Sequence, residues 1–495
     1  MPQPDINTNY VLIRTHPFFD QKRADWERCR AAYGGGKDYI KIALVQHISE
    51  IKEEFRERLD RAYYFNWPRK IAGIITQYVL ATRPQRTGAL PEMVEDWSRT
   101  GLRVDEVMRQ FSTMLNIYGC AWLCVDMPAF DGVKTKADEL KERLRPYVIA
   151  LSPLDVPDWC YGDDGRLLWV ITDERRQDRS DPTVLPTDIH IRRLWTRQSV
   201  IVIAEYSTGQ RTVTEIVHGL GEVPFVRAVE ADGFGIGESH WFEDVVRISD
   251  AILNNESEAQ MNVIKQMFGL LVVSESFAAN AGRATARDAD GNQREIPMSA
   301  VIARSAAIIE TPEDKGTSRY ISPGGVENAV IRADNEALKR LMFESVGLSV
   351  SKDTKMVESA EAKQWDFQNI EQLMRTRADL MEQSEMAAWR LLNLWQPTIP
   401  VPEIQYNRTF AMLDLKESVA TLMELSSFNQ ESETYQREIG KTAVNLLNRL
   451  RQIPQDKQDS IVSELDEMHM HLEPEGLPIG VPPAEGDVDG NDDMQ

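Results

Sequence analysis

Cysteine is scarce in this chain: there are four in 495 residues, at positions 29, 120, 124 and 160. So few, so irregularly spaced, exclude a disulfide framework and point to buried free thiols in a reducing compartment. Long apolar runs are missing as well. The stretch from Met267 to Val273 is among the longest and falls far short of the roughly 20 residues that cross a bilayer. The opening Met1-Pro2-Gln3-Pro4-Asp5 has no basic region followed by an apolar core, so the expectation is a chain with no secretory signal and no membrane partner, soluble in the cytoplasm. Positive charge is in deficit, 56 Lys and Arg against 78 Asp and Glu, for a net charge of −22. Tight nucleic-acid binding draws on neutralised phosphates and released counterions, so a surface that grips DNA is disfavoured. A channel lined to repel the phosphate backbone is not.

Signatures of chemistry are equally sparse. Gly233-Phe234-Gly235-Ile236-Gly237 lacks both the G-x-G-x-x-G spacing and the Lys-Ser/Thr pair of a phosphate loop, and reads as a hinge where a strand turns into a helix. His469 and His471 would need metal partners from elsewhere, and His47, His190, His218 and His240 are scattered. Cys120 and Cys124 supply at most two of the ligands that zinc requires. There is no G-x-S-x-G elbow, and carboxylates are too abundant for any pair to be chosen as acid and base. The expectation is no catalytic residue, no metal and no cofactor, and a protein that is not an enzyme. Trp365, Trp389 and Trp395 read as a packed helix face rather than as stacking platforms for bases.

What the chain does have is 42% hydrophobic and 27% charged residues, enough for sizeable cores in more than one compact unit. Periodicity predicts helices over Lys22–Ala32, Ser49–Tyr64, Pro68–Leu80 and Val104–Tyr118, with a break at Gly34-Gly35-Gly36. Strands follow at 121–125, 147–151, 167–171, 189–195, 200–206 and 212–217, implying a small, mostly antiparallel β unit packed on those helices. A helix from about His240 to Phe268 precedes short apolar strands at 270–273, 301–303 and 307–309, with a turn at 288–292. A second runs over 326–346, with Val330, Ala333, Ala337, Leu341 and Val346 assigned to one apolar side, and stops at Gly347. After a polar loop a very long helix reaches Trp395 and ends at Pro397. Helices at 413–425, 433–450 and 455–469 precede an acidic, Pro- and Gly-rich tail from Leu472 whose composition predicts disorder.

Several phrases in this order resemble the portal proteins of tailed bacteriophages. Gly221-Glu222-Val223-Pro224-Phe225, then Gly237-Glu238-Ser239 and the helix containing Asp250 and Asn254-Asn255-Glu256-Ser257, look like the wing-to-stem passage of that family. Glu358-Ser359-Ala360-Glu361-Ala362-Lys363 looks like the start of the helix behind its tunnel loop. The likeness covers roughly residues 30–400, carried by the conjunction of elements rather than by one motif.

The resemblance implies a mixed α+β, helix-rich portal fold: wing over 1–235, first stem helix 236–268, clip 269–325, second stem helix 326–346, tunnel loop 347–357, a connecting helix and segment 358–412, a helical crown 413–471 and the tail 472–495. It further implies a homo-oligomeric ring, a dodecamer in the working assembly, at one vertex of the virion capsid and in the host cytoplasm during assembly. Implied partners are scaffolding and major capsid proteins, the large terminase, head-tail adaptors and double-stranded DNA passing through the channel. On this reading Ser351, Lys352 and Lys355 line the channel from the tunnel loop and Lys339 does so from the second stem helix, and both stem helices leave acidic and amide residues toward the lumen. The readings from other classes are a soluble enzyme with an unrecognised site and a protein-binding scaffold that encloses no DNA.

Overall fold

The computed structural model describes residues 8–48, 50–128, 144–179, 181–230, 240–267, 270–274, 285–287, 293–295, 308–311, 319–321, 326–347, 360–408, 410, 439–444, 457 and 460–464. For 265–321, Glu327 and 360–370 only the backbone of these is described. The chain divides into two units, Met1–Ala411 and Met412–Gln495. Within the second, 439–444 and 460–464 are helical, while the predicted helix at 413–425 and the acidic tail lie outside the described residues.

The first unit mixes α and β. Its helices open with α1 (Thr8–Ile13), α2 (Pro17–Gly34), α3 (Gly36–Ala43), α4 (Lys52–Arg61) and α5 (Trp67–Val79). The predicted glycine break falls at Gly35, whose φ of 66° lies in the left-handed region that a side chain disfavours. A new helix, α3, starts directly after it. Strand β1 (Gln85–Thr87) leads to α6 (Pro91–Glu95) and α7 (Val104–Tyr118), the last with the predicted bounds. Val104, Val107, Met108, Phe111 and Leu115 recur at helical spacing along α7 and are all buried.

That face packs on a three-stranded antiparallel sheet ordered β3-β2-β9, where β2 is Cys120–Asp126, β3 is Tyr147–Leu151 and β9 is Phe225–Val229. Strand β2 is buried on both faces, which explains its unbroken apolar run. Ala121, Leu123 and Val125 enter the core shared with α7, whereas Cys120, Trp122 and Cys124 enter a second core with α2 and α3. Burial pushes the Cys29 and Cys120 thiols up to about 12 and raises Cys124, so these free thiols are inert packing groups. A separate five-stranded antiparallel meander comprises β4 (Asp158–Tyr161), β5 (Leu167–Asp178), β6 (Thr187–Thr196), β7 (Ser199–Tyr206) and β8 (Arg211–Val217). The predicted β unit is therefore two sheets.

Helix α8 (Trp241–Met267) follows, then β10 (Leu270–Ser274), β11 (Thr285–Arg287), β12 (Gln293–Glu295), β13 (Ile308–Thr311) and β14 (Arg319–Ile321), then α9 (Val326–Glu344). Strand β10 pairs parallel with β13 and antiparallel with β14, and β11 pairs with β12. The predicted strand at 301–303 and turn at 288–292 lie outside the described residues. Helix α10 (Ala360–Trp395) returns to the body, where Met374, Ala378, Met381, Ala388, Trp389 and Leu392 join the α7 core. Trp389 is fully buried and the Trp395 indole donates to the Val125 carbonyl at 3.1 Å, so both tryptophans pack as expected.

Strand β15 (Glu403–Gln405) pairs antiparallel with β1, setting Arg86 opposite Ile404. Arg86 and Glu385 are both at 0% side-chain exposure and form an ion pair at 2.5 Å. Asp105 takes a second Arg86 nitrogen at 2.7 Å, and Tyr406 and Trp389 donate to Glu385 at 2.6 and 3.2 Å. Burial works against the Arg86 charge, but the carboxylates of Glu385 and Asp105 outweigh it and hold the proton above its ordinary affinity. Removing one partner of a buried pair strands the other. Glu385→Ala is expected to destabilise the protein by about 3–5 kcal/mol in urea unfolding, and Arg86→Met with Glu385→Leu by much less; equal losses for the two variants would show that the charge is not what matters.

His16 precedes α2, and its Nδ1 accepts the Phe18 N–H at 3.1 Å while the ring stacks on Trp159 at 4.2 Å. Burial, chiefly, holds this imidazole below its ordinary 6.5, against the pull of Asp158. The folded state thus binds fewer protons than the unfolded state as pH falls through that value, so this contribution to stability is present above about 6.5 and lost below it. His16→Asn keeps a capping acceptor without the titration. Its thermal midpoint should fall less than that of the parent between about pH 7.5 and 5.5, as followed by circular dichroism; parallel pH profiles would exclude His16 as the source.

Candidate assembly surface on the helix pair

Helices α8 and α9 pack against each other in opposite directions. Val245 and Ile252 of α8 share a core with Met342 of α9, Val346 just past its end, and Ile71 and Ile75 of α5. Farther along, the Asn255 amide donates to Asn335 at 3.0 Å and to Asp334 at 2.8 Å, and the Asn335 amide donates to Glu256 at 2.7 Å. These contacts fix the relative level of the two helices.

The polar residues of α8 do not form a free acidic and amide face. Glu243, Asp250, Asn254 and Ser257 lie seven, four and three residues apart, which places them on one side of the helix, toward the N-terminal helices. Lys22 of α2 donates to Glu243 at 3.2 Å, with both side chains buried. Asp250 accepts from Arg28 and from the Tyr39 hydroxyl. Asn254 takes the Val45 N–H at 2.9 Å and donates to the Ala43 carbonyl at 3.1 Å. Arg58 of α4 reaches Ser257 at 3.3 Å while pairing with Glu50 at 2.8 Å. The phenol of Tyr39 is held well above its ordinary range, first by burial and then by the Asp250 charge, so it stays protonated and donates to that carboxylate.

The start of α8 is tied down separately. The Glu230 carboxylate, just past β9, meets the buried Arg377 of α10 and accepts the His240 Nε2–H at 2.5 Å, while the backbone N–H of Glu230 donates to the Gly119 carbonyl at 2.9 Å. Gly119 has φ 71°, and a Cβ there would lie 2.8 Å from the His240 ring, so both conformation and space require glycine. Glu222 meets Arg166 at 3.1 Å and Arg390 of α10 at 2.8 Å, linking the five-stranded sheet to that helix.

Helix α9 carries two apolar faces, and the single side expected from sequence is corrected accordingly. Val346, with Asn335 and Met342, faces inward. Val330, Ala333, Ala337 and Leu341 face outward with Val326, and Val326, Val330 and Leu341 are 71%, 63% and 52% exposed. Val346 lies beyond the last helical residue, Glu344, in a turn whose N–H donates to the Phe343 carbonyl at 3.3 Å, so it does not continue the stripe. Lys339 pairs with Glu336 of its own helix at 2.8 Å. Ser351, Lys352 and Lys355 lie outside the described residues, as do the Gly233–Gly237 segment, His469 and His471. Among the described residues no group of three or more His, Cys, Asp or Glu could hold a metal ion, and no helix is long and apolar enough to cross a membrane. The arrangement is one of anchoring and exposed packing surface.

No protein-family model matches the chain, and no curated protein matches it. Asp250→Ala should cost about 1–3 kcal/mol by leaving the Tyr39 hydroxyl and the Arg28 charge without their acceptor, and should speed amide exchange in the first half of α8; unchanged exchange there would show that the polar seam does not hold the helix.

Proposed function

We propose that the chain is a non-enzymatic subunit of a portal-type ring at the capsid vertex of a tailed bacteriophage, a conduit for DNA during packaging and ejection. One observation carries this reading: an antiparallel helix pair, anchored to the body by buried polar contacts, brackets a strand-bearing segment and leaves an apolar stripe in water that a lone subunit does not cover. Exposed apolar surface of this kind marks a protein contact. Charge agrees with it, since a net −22 chain suits a lumen that DNA slides through rather than binds. In this reading α8 and α9 are the stem, 269–325 the clip that meets terminase and adaptors, and 347–357 the tunnel loop. DNA would meet rings of Lys352 and Lys355 at one level of the channel, through weak, salt-screened contacts.

Negative-stain images of the purified chain should show rings with a central hole and a stalk on one side. A population of solitary monomers at all concentrations would overturn the proposal. Lys352→Glu with Lys355→Glu should leave ring assembly unchanged, because exposed-loop substitutions cost within about 0.5 kcal/mol, while DNA packaging or retention falls. Parental packaging by that variant would remove the two lysines from the channel.

A further inference from the structure

A cavity of about 230 Å³ lies where two turns of the five-stranded sheet meet β9 and α10, and we propose that it is a binding site for a compact phosphate-type oxyanion. The site is built within one subunit and does not depend on the ring reading.

Four arginines line it, each from a different part of the chain: Arg166 from the β4–β5 turn, Arg197 from the β6–β7 turn, Arg227 from β9 and Arg390 from α10. Glu222 is the one carboxylate among the lining residues. This local excess of positive charge runs against a chain whose net charge is −22, and a cleft lined by one sign with apolar walls concentrates ions of the other. Arg166 and Arg390 share Glu222, one oxygen each, at 3.1 and 2.8 Å, and their side chains are 66% and 63% exposed. Arg197 pairs with Asp164 at 2.8 Å and donates its Nε–H to the Leu167 carbonyl at 3.0 Å. Each of the three keeps donors beyond those it spends, since a guanidinium carries five N–H groups.

Arg227 has no such partner. Its guanidinium lies over the Trp159 ring at 4.6 Å and the Trp122 ring at 5.5 Å. Among the described residues its side chain meets no hydrogen-bond acceptor and no carboxylate, and its buried Nε–H is left unsatisfied. A buried donor without an acceptor is costly, and rings that hold a guanidinium by its face leave its N–H edge free. The cavity that Arg227 lines is where the missing acceptor enters.

Size and geometry name the ligand. The volume is below the roughly 300–1,000 Å³ of sites for drug-sized molecules, so a small ion or a terminal group fits and a nucleic-acid duplex does not. A carboxylate is planar, and a single guanidinium fork satisfies it. Donors arriving from a strand, a helix and two turns suit a tetrahedral anion, whose oxygens point in several directions. Phe225 and Leu391 supply apolar wall, and excluding water strengthens the charge interactions inside.

Calorimetric titration of the full chain with inorganic phosphate, at an ionic strength held constant with chloride, should give one saturable site per subunit with a Kd below about 1 mM. Acetate should bind at least about tenfold more weakly. Two substitutions that break the same ion pair separate charge from structure. Arg390→Ala should weaken phosphate at least about fivefold, whereas Glu222→Gln, which removes the competing carboxylate, should tighten it at least about threefold. A purely structural role for the pair would move both variants the same way. Arg227→Met, which keeps an apolar stem on the rings, should abolish saturation. Competition by glycerol 3-phosphate would identify the source as a phosphorylated small molecule, and failure to compete would identify it as free phosphate. No saturable binding by the parent, acetate as tight as phosphate, or affinities of Arg390→Ala and Glu222→Gln that shift together or not at all would overturn the proposal. Displacement of phosphate by a duplex oligonucleotide would overturn it in favour of a DNA-backbone contact.

Discussion

A carboxylate withdrawn from water has to find its counter-charge inside the protein, and Glu385 does so with a guanidinium 299 residues earlier in the chain. The cost of desolvating both groups is several kcal/mol per ion, recovered only when geometry is close and the remaining lone pairs are taken. Here they are taken by Tyr406 and Trp389, and the third side of Arg86 by Asp105. The result ties β1, α7, α10 and the segment around β15 into one arrangement. Helix α10 is thereby held at one height against the sheet, since a slip of a single turn would strand a buried charge. Apolar contacts of Met374, Met381 and Leu392 alone would tolerate such a slip far better.

The same logic governs α8. Its buried side contains a run of polar groups, each meeting one or two named partners on α2, α3, α4 or the connection between the last two. Exposed ion pairs are worth little, but a buried hydroxyl or carboxylate deprived of its partner is costly. The N-terminal helices therefore act as a clamp that sets both the position and the rotation of α8. Rotation matters because it decides which residues remain outside. Anchoring with polar contacts on that side also leaves Val326, Val330 and Leu341 of α9 exposed.

Helix α7 and the meander strands β5, β6 and β7 were legible because local pattern and burial coincide there, and β8 and the bounds of α8 and α9 because turn and glycine signals flank them, whereas β4 was not. Strands β1, β9 and β15 were not, being short and stabilised by partners far away in the chain. Helix α3 was hidden by its glycines. Neither Arg86 nor Glu385 stood out, because a buried charge has the same one-letter appearance as a solvated one, and only the partner distinguishes them. Asp250, Asn254 and Ser257 were visible as polar interruptions of a helix, yet a polar residue in a helix reads equally well as a lumen face or as a clamp. The thiols were legible as packing groups because their number left few other fates.

Helix α9 carries the argument furthest. Its apolar residues outnumber what one face can hold, which from sequence alone reads as a single broad side. Once Asn335 takes the inward position opposite Asn255, the helix can bury Met342 on that side, with Val346 just past its end, and Val330, Ala333, Ala337 and Leu341 must point away. A polar residue on the inner face thus decides the fate of apolar residues on the outer one. Retaining Val326, Val330 and Leu341 in water works against solubility unless another surface covers them. The surplus of apolar side chains on one helix, read together with the polar lock that orients it, is what leaves an uncovered apolar stripe on this helix pair.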